Sequence, residues 1–201
     1  MNATSGASKR NSGAAERVLV LVKPDGVERA LIGAVIGRFE SAGLKVIGIK
    51  MLKAAGEQVA RHYTDDESWL VSVGTKTKKA YASKGIEVKE SEREIGIRIR
   101  SLLMKELVRG PIVAMALQGN AATEVARKIA GATEPKSADP STIRGAYASD
   151  TYALADSNGR PVRNIVHVSE NAELSEKELA VWFSDDELFD YTRADERQMY
   201  G

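Results

Sequence analysis

The chain has no cysteine, which removes disulfides, thiolate metal sites and cysteine nucleophiles at one stroke. Histidine is almost as scarce, with His62 and His167 the only two. No apolar run approaches the roughly 18 residues a membrane span needs. The formal net charge is +1, so no global field draws the chain to nucleic acid or to an anionic membrane, and any anion site has to be local. A basic stripe with interleaved aromatics is also missing, which argues against specific nucleic-acid binding. There is no phosphate-cradling loop of the G-x-x-x-x-G-K-[ST] kind, so a nucleotide would have to be held by side chains. The first fifteen residues are small and polar, without the hydrophobic segment of a signal peptide. They are expected to form a disordered tail on a cytoplasmic protein.

What is present fits one domain of ordinary composition, 43% apolar and 28% charged over 201 residues. Arg17 to Val22 is a short continuous apolar run, which suits a central strand covered on both faces. It ends in the turn signature Lys23-Pro24-Asp25-Gly26. Leu31, Ile32, Val35, Ile36 and Phe39 recur at helical spacing, with Gly43 placed to end the helix. Leu44 to Leu52 reads as a second strand and Gly56 to Tyr63 as a short helix. The long stretch from Thr64 to Gly110 is mostly helical and charged. Its clearest element opens with a capping box at Ser91 to Glu94 and carries the stripe Ile95, Ile99, Leu102, Leu103 and Leu107.

Pro111 to Gln118 reads as a third strand, and Asn120 as the N-cap of a helix through Ala130 that ends at Gly131. Ala132 to Arg163 lacks periodicity, and a loop of that length inside a domain is usually functional or disordered. Asn164 to Val168 reads as the fourth strand. Ser175 to Glu178 is a second capping-box pattern, opening a helix through Phe183. The sum is an α+β sandwich with helices on a mainly antiparallel four-stranded sheet.

His167 is the natural candidate for chemistry. A histidine at a strand end can be held through one ring nitrogen and present the other to a cleft, as nucleophile or proton carrier. Lys23, Arg127, Arg144 and the hydroxyl of Thr133 would together suit a polyphosphate, because guanidinium groups bind phosphate oxygens bidentately. Taken singly, each is most simply a surface group.

Seven segments change the weight of these candidates. They are Val-Lys-Pro-Asp-Gly-Val (22–27), Ile-Gly-x-x-Ile-x-Arg-Phe-Glu (32–40), His62-Tyr63, Gly-Pro-Ile-Val-Ala-Met (110–115), Gly-Ala-Thr-Glu-Pro (131–135), Thr-Ile-Arg-Gly (142–145) and Arg-Asn-Ile-Val-His-Val-Ser-Glu (163–170). In this order the chain resembles the nucleoside diphosphate kinases. The resemblance implies a ferredoxin-like fold and a ping-pong transfer of the γ-phosphate of a nucleoside triphosphate to a nucleoside diphosphate. His167 matches the phosphorylated histidine. Lys23, Arg127, Thr133, Arg144 and Asn164 match groups that hold phosphates and ribose, Tyr63 matches a tyrosine beside the histidine, and Ser169 and Glu178 match its supports. Glu178 has a second reading as the closing residue of the capping box. His62 matches no catalytic role and reads as structural.

Mg²⁺ is the implied cofactor, carried mainly by nucleotide phosphates, with no protein metal site. A homo-oligomer, tetramer or hexamer, is the implied assembly. The domain is expected over residues 16–191, with a helical insertion at about 64–110, a loop insertion at about 148–162 and a C-terminal tail at 192–201. The family's segment with a base-stacking phenylalanine and a phosphate arginine is absent. Trp69 or Leu70 is the candidate base clamp, and Lys76 or Lys78 the candidate cation. Val168 and Ala146 replace residues that are usually small and acidic respectively. The alternative is a kinase-like module that binds nucleotide or protein and has lost turnover.

Overall fold

In the computed structural model, which describes residues 15–83 and 85–200, the apolar run is β1 (Glu16–Val22). Every side chain from Val18 to Val22 is fully buried, because alternate residues enter two different cores. Val18, Val20 and Val22 pack with Val35 and Phe39 of α2 (Ile32–Ser41) and Ala126 of α6 (Ala122–Ala130). Leu19 and Leu21 pack on the opposite face with Val59 of α3 (Gly56–His62), Leu107 of α5 (Glu92–Val108) and Trp182 of α9 (Ala172–Trp182). The other strands are β2 (Lys45–Lys53), β3 (Pro111–Gly119) and β4 (Val166–Val168), in the order β2-β3-β1-β4. All three pairings are antiparallel, so the sheet is the expected one, with helices on both faces.

The charged stretch after Tyr63 forms a helical hairpin of α4 (Glu67–Ala82) and α5. Glycines let its two backbones touch. A Cβ at Gly74 would lie 1.8 Å from the carbonyl oxygen of Glu92, and one at Gly96 would lie 2.2 Å from that of Leu70. The capping box at Ser91 and Glu94 opens α5 as its sequence requires. Of the stripe, Ile95 and Leu107 are fully buried, while Ile99, Leu102 and Leu103 are partly covered.

Several local readings change. Lys23 to Gly26 does not make an isolated turn: Pro24 occupies the first turn of α1 (Pro24–Glu28), where its missing N–H costs nothing. Asn120 does not cap α6. The cap position is Ala121, and Glu16 of β1 accepts from the Thr123 N–H at 2.8 Å instead. The helix assigned to start at Ser175 starts at Ala172, where Asn171 accepts from the Leu174 N–H. Ser175 is then interior and buried, and its hydroxyl accepts from the Leu19 N–H at 3.0 Å. The fourth strand is shorter than expected, because Ile165 takes φ +71° and breaks it. The long loop holds a 3₁₀ turn (Pro135–Ser137) and two short helices, α7 (Ile143–Tyr147) and α8 (Tyr152–Ser157). Those helices are too short for a hydrophobic period to show.

The C-terminal segment folds back on β2, where Phe189 N–H donates to Ile47 O and Tyr191 OH to Val46 O, and it finishes in α10 (Glu196–Tyr200). The expected N-terminal tail lies outside the described residues except for Ala15. Among the described residues no helix is long and apolar enough to cross a membrane.

Candidate active site

His167 is the middle residue of β4 and pairs with Leu21 across the sheet. Cross-strand partners point to the same face, so its ring enters the core that holds Leu19, Leu21 and α9. There Nε2 lies 3.1 Å from Glu178 Oε2. Glu178 is partly buried, which by itself would raise its pKa. The nearby histidines and the Ser169 hydroxyl outweigh that and hold it at about 2. An ionised carboxylate only accepts, so the proton of the contact sits on His167 Nε2, and in the neutral ring the lone pair is then on Nδ1. Ser169 Oγ donates to the same carboxylate oxygen at 2.5 Å.

Three aromatic groups surround this pair. Burial raises the pKa of Tyr63, and its ring lies 6.5 Å from that of His167 at right angles. The buried His62 ring is 4.6 Å from His167. Trp182 Nε1 donates to His62 Nδ1 at 3.2 Å. Burial, reinforced by the charge of His167, pushes the His62 pKa down to about 3. Ligand atoms of His62, His167 and Glu178 lie within 4.8 Å of one another; of these groups, His62 Nδ1 accepts from Trp182, Glu178 Oε2 is engaged by His167 and Ser169, and His167 Nδ1 has no hydrogen-bond partner among the described residues.

The phosphate candidates converge on the other end of the same segment. Lys23 follows β1, is almost wholly buried, and its N–H donates to Ile165 O at 2.7 Å. Burial, with a contribution from Arg144, lowers the Lys23 pKa. Arg144 donates to Gly131 O at 2.7 Å and to Val166 O at 2.9 Å, so it fastens the loop after α6 to the residue before His167. Burial and the charge of Arg127 bring its pKa down to about 10. Asn164 donates to Thr133 O at 2.7 Å, closing the loop onto the same segment. Arg127 and Thr133 are exposed, at the solvent side of this cluster.

Trp69 is one ring further out, 6.2 Å from Tyr63, and packs partly against the second core. Leu70 is buried beneath Gly96. Lys76 pairs with Glu170, the residue after Ser169, whereas Lys78 pairs with Glu92 inside the hairpin. A cavity of about 290 Å³ is lined by Asp25 and Arg163 among others, but three of its arginines, Arg109, Arg160 and Arg163, are already paired with carboxylates.

A family model described as nucleoside diphosphate kinase matches residues 16–70 and 99–188. The chain belongs to the nucleoside diphosphate kinase family. The segment the match leaves out, 71–98, is most of α4 and the start of α5. A nucleoside diphosphate kinase of Pyrobaculum aerophilum is 43% identical over 87% of this chain and 98% of its own length. One from Pyrococcus abyssi is 38% identical over 90% of this chain and 92% of its own. Among solved structures, an NDP kinase from Pyrobaculum aerophilum superposes with a TM-score of 0.83 at 41% identity, covering 88% of this chain and all of that one. A transition-state mimic of the Borrelia burgdorferi nucleoside-diphosphate kinase, with bound vanadate and ADP, gives 0.75 at 32% identity over 93% and 98% of the two chains.

Sequence reasoning missed Asp25, Trp182 and Ser175. Ser175, Glu178 and Trp182 follow one another at i, i+3 and i+7, the period of one helix face, so that face was visible in principle. Asp25 gave no such signal, since its partner is 140 residues away.

Proposed function

We propose that the protein is an active, cytoplasmic nucleoside diphosphate kinase that works through a phosphohistidine at His167. The observation that carries this reading is the His167–Glu178 contact, which leaves Nδ1 as the free nucleophilic nitrogen. Nδ1 attacks the γ-phosphorus of a nucleoside triphosphate, a P–N bond forms, and the bond to the β,γ-bridging oxygen breaks with its electron pair leaving on the diphosphate. Nε2 keeps its proton. The positive charge that develops on the ring is offset by the Glu178 carboxylate, which Ser169 holds in place. A terminal phosphate oxygen of a second nucleoside diphosphate then attacks the same phosphorus and the P–N bond breaks, restoring His167.

Lys23, Arg127, Arg144, Thr133 and Asn164 would hold phosphates and ribose, and Tyr63 would limit the tilt of the His167 ring. Trp69, whose ring lies 6.2 Å from that of Tyr63, is assigned to the nucleobase. The donors available to the nucleotide are cationic or neutral, while Glu178 is committed to His167 and Ser169. Such a donor set fits Mg²⁺ carried by the phosphates rather than by protein ligands. When bound, the ion supplies further neutralisation of phosphate charge. β2 is an edge strand with Ile49 50% and Met51 58% exposed, which supports association into a homo-oligomer, tetramer or hexamer.

The test is incubation with γ-labelled ATP and Mg²⁺. The enzyme should take up an acid-labile, alkali-stable label that moves to added GDP, and His167→Ala should abolish it. Wild-type protein that takes no label would be a binding module without turnover.

A further inference from the structure

His62 has no part in the transfer just described, yet its ring lies closer to the nucleophile's than that of Tyr63 does. Its ring centroid lies 4.6 Å from that of His167, with the planes at 81°. The Tyr63 ring centroid lies 4.6 Å from that of His62 and the Trp182 ring 5.5 Å away, so three rings surround His62. Its relative exposure is 5%. The indole N–H of Trp182 can only donate, so His62 Nδ1 must accept and hold a lone pair. The ring is buried and resists protonation, so its one proton is on Nε2. That nitrogen finds no hydrogen-bond partner among the described residues. A side chain retained for hydrogen bonding would not leave a buried N–H unmatched.

We propose that His62 is a positioning residue: Trp182 locks its neutral ring, and the ring wedges edge-to-face against His167 so that only Nδ1 of His167 can face the phosphate. Glu178 alone does not achieve this. One hydrogen bond to Nε2 leaves the imidazole free to swing about that contact, whereas a ring packed against it at right angles removes the swing. Trp182 reaches the site from α9, four residues after Glu178, so one helix face sets both restraints on the nucleophile.

The inference rests on the phosphohistidine reading, and single-turnover labelling separates the two. The amplitude of labelling counts competent sites, and the rate constant reports their geometry. His62→Leu and Trp182→Phe should each slow phosphorylation per labelled site by about tenfold or more, with the ATP concentration at half-maximal rate changed by less than about twofold. His62→Phe, which restores a ring, should recover most of the rate. Long-range ¹H–¹⁵N correlation on the wild-type protein should show His62 as the Nε2–H tautomer. A His62→Leu rate constant within twofold of wild type would make the residue mere packing and overturn the proposal. So would a His62→Phe variant as slow as His62→Leu, or an Nδ1–H tautomer. Failure of wild-type protein to label would instead overturn the phosphohistidine reading itself.

Discussion

Asp25 Oδ2 accepts the backbone N–H of Ile165 at 2.9 Å, across 140 residues of sequence. Ile165 has φ +71°, a region that β-branched residues avoid, and its carbonyl accepts from the Lys23 N–H at 2.7 Å. Both contacts come from the few residues after β1. They hold a strained residue two positions before His167, and such strain persists only where the surroundings over-determine it.

Asp25→Ala should therefore act on catalysis and stability together. The Ile165 N–H would be buried and unpaired, at a cost of about 1–3 kcal/mol. Released, the segment would misplace Asn164 and His167. A fall in the rate of His167 labelling beyond the loss of folded protein, measured by denaturant titration alongside single turnover, is the expected result. An unaltered rate per folded molecule would show that the strain does not matter to the site.

Arg144→Lys keeps a positive charge but cannot reach Gly131 O and Val166 O at once. Nucleotide half-saturation should rise by about tenfold or more, and the labelling rate should fall with it. Arg127→Lys, on an exposed residue, should do less. Equal effects from the two substitutions would argue that Arg144 acts only through charge.

The hairpin, whose crossing at Gly74 and Gly96 lies outside the family match, should be intolerant of side chains there. Gly74→Ala and Gly96→Ala each drive a Cβ into backbone, and overpacking of this kind costs about 1–3 kcal/mol or more. Gly56→Ala, where a Cβ meets nothing within 4 Å, serves as the control. Thermal melts should separate the pair from the control by several degrees.

Acid should destabilise the protein through two groups of the same sign. His62 ordinarily titrates at 6.5 and is held at about 3, so the unfolded chain takes up its proton first. That stability is complete above pH 6.5 and is lost as pH falls toward 3. Glu178 ordinarily titrates at 4.5 and is held at about 2, so its contribution is complete above 4.5 and is lost as pH falls toward 2. His62→Phe should flatten the upper part of the stability curve, between pH 6.5 and 4.5, and leave the lower part. If the His62→Phe and wild-type curves run parallel from pH 7 to 4, His62 is not buried neutral.

Where one element carried its own signal, the sequence was legible. The run Val18 to Val22 could be read as a two-sided strand because no position in it tolerates water, and both faces are indeed packed. Ser91 and Glu94 complete a box within one turn. The second such pattern misled, since Ser175 and Glu178 are spoken for by Leu19 and His167, and Asn171 caps the helix. Local chemistry proposes a cap, but long-range partners decide which hydroxyl is free to serve.

The sequence by itself determined the fold class and the family and pointed to His167 as the candidate nucleophile, because these rest on short segments and apolar periods that every copy of the chain displays. Tertiary structure decided what those residues are to each other. The left-handed Ile165, the buried His62 wedge and the one nitrogen of His167 left free all follow from contacts between β1, α3, β4 and α9. No local pattern encodes the distance between residues more than a hundred positions apart.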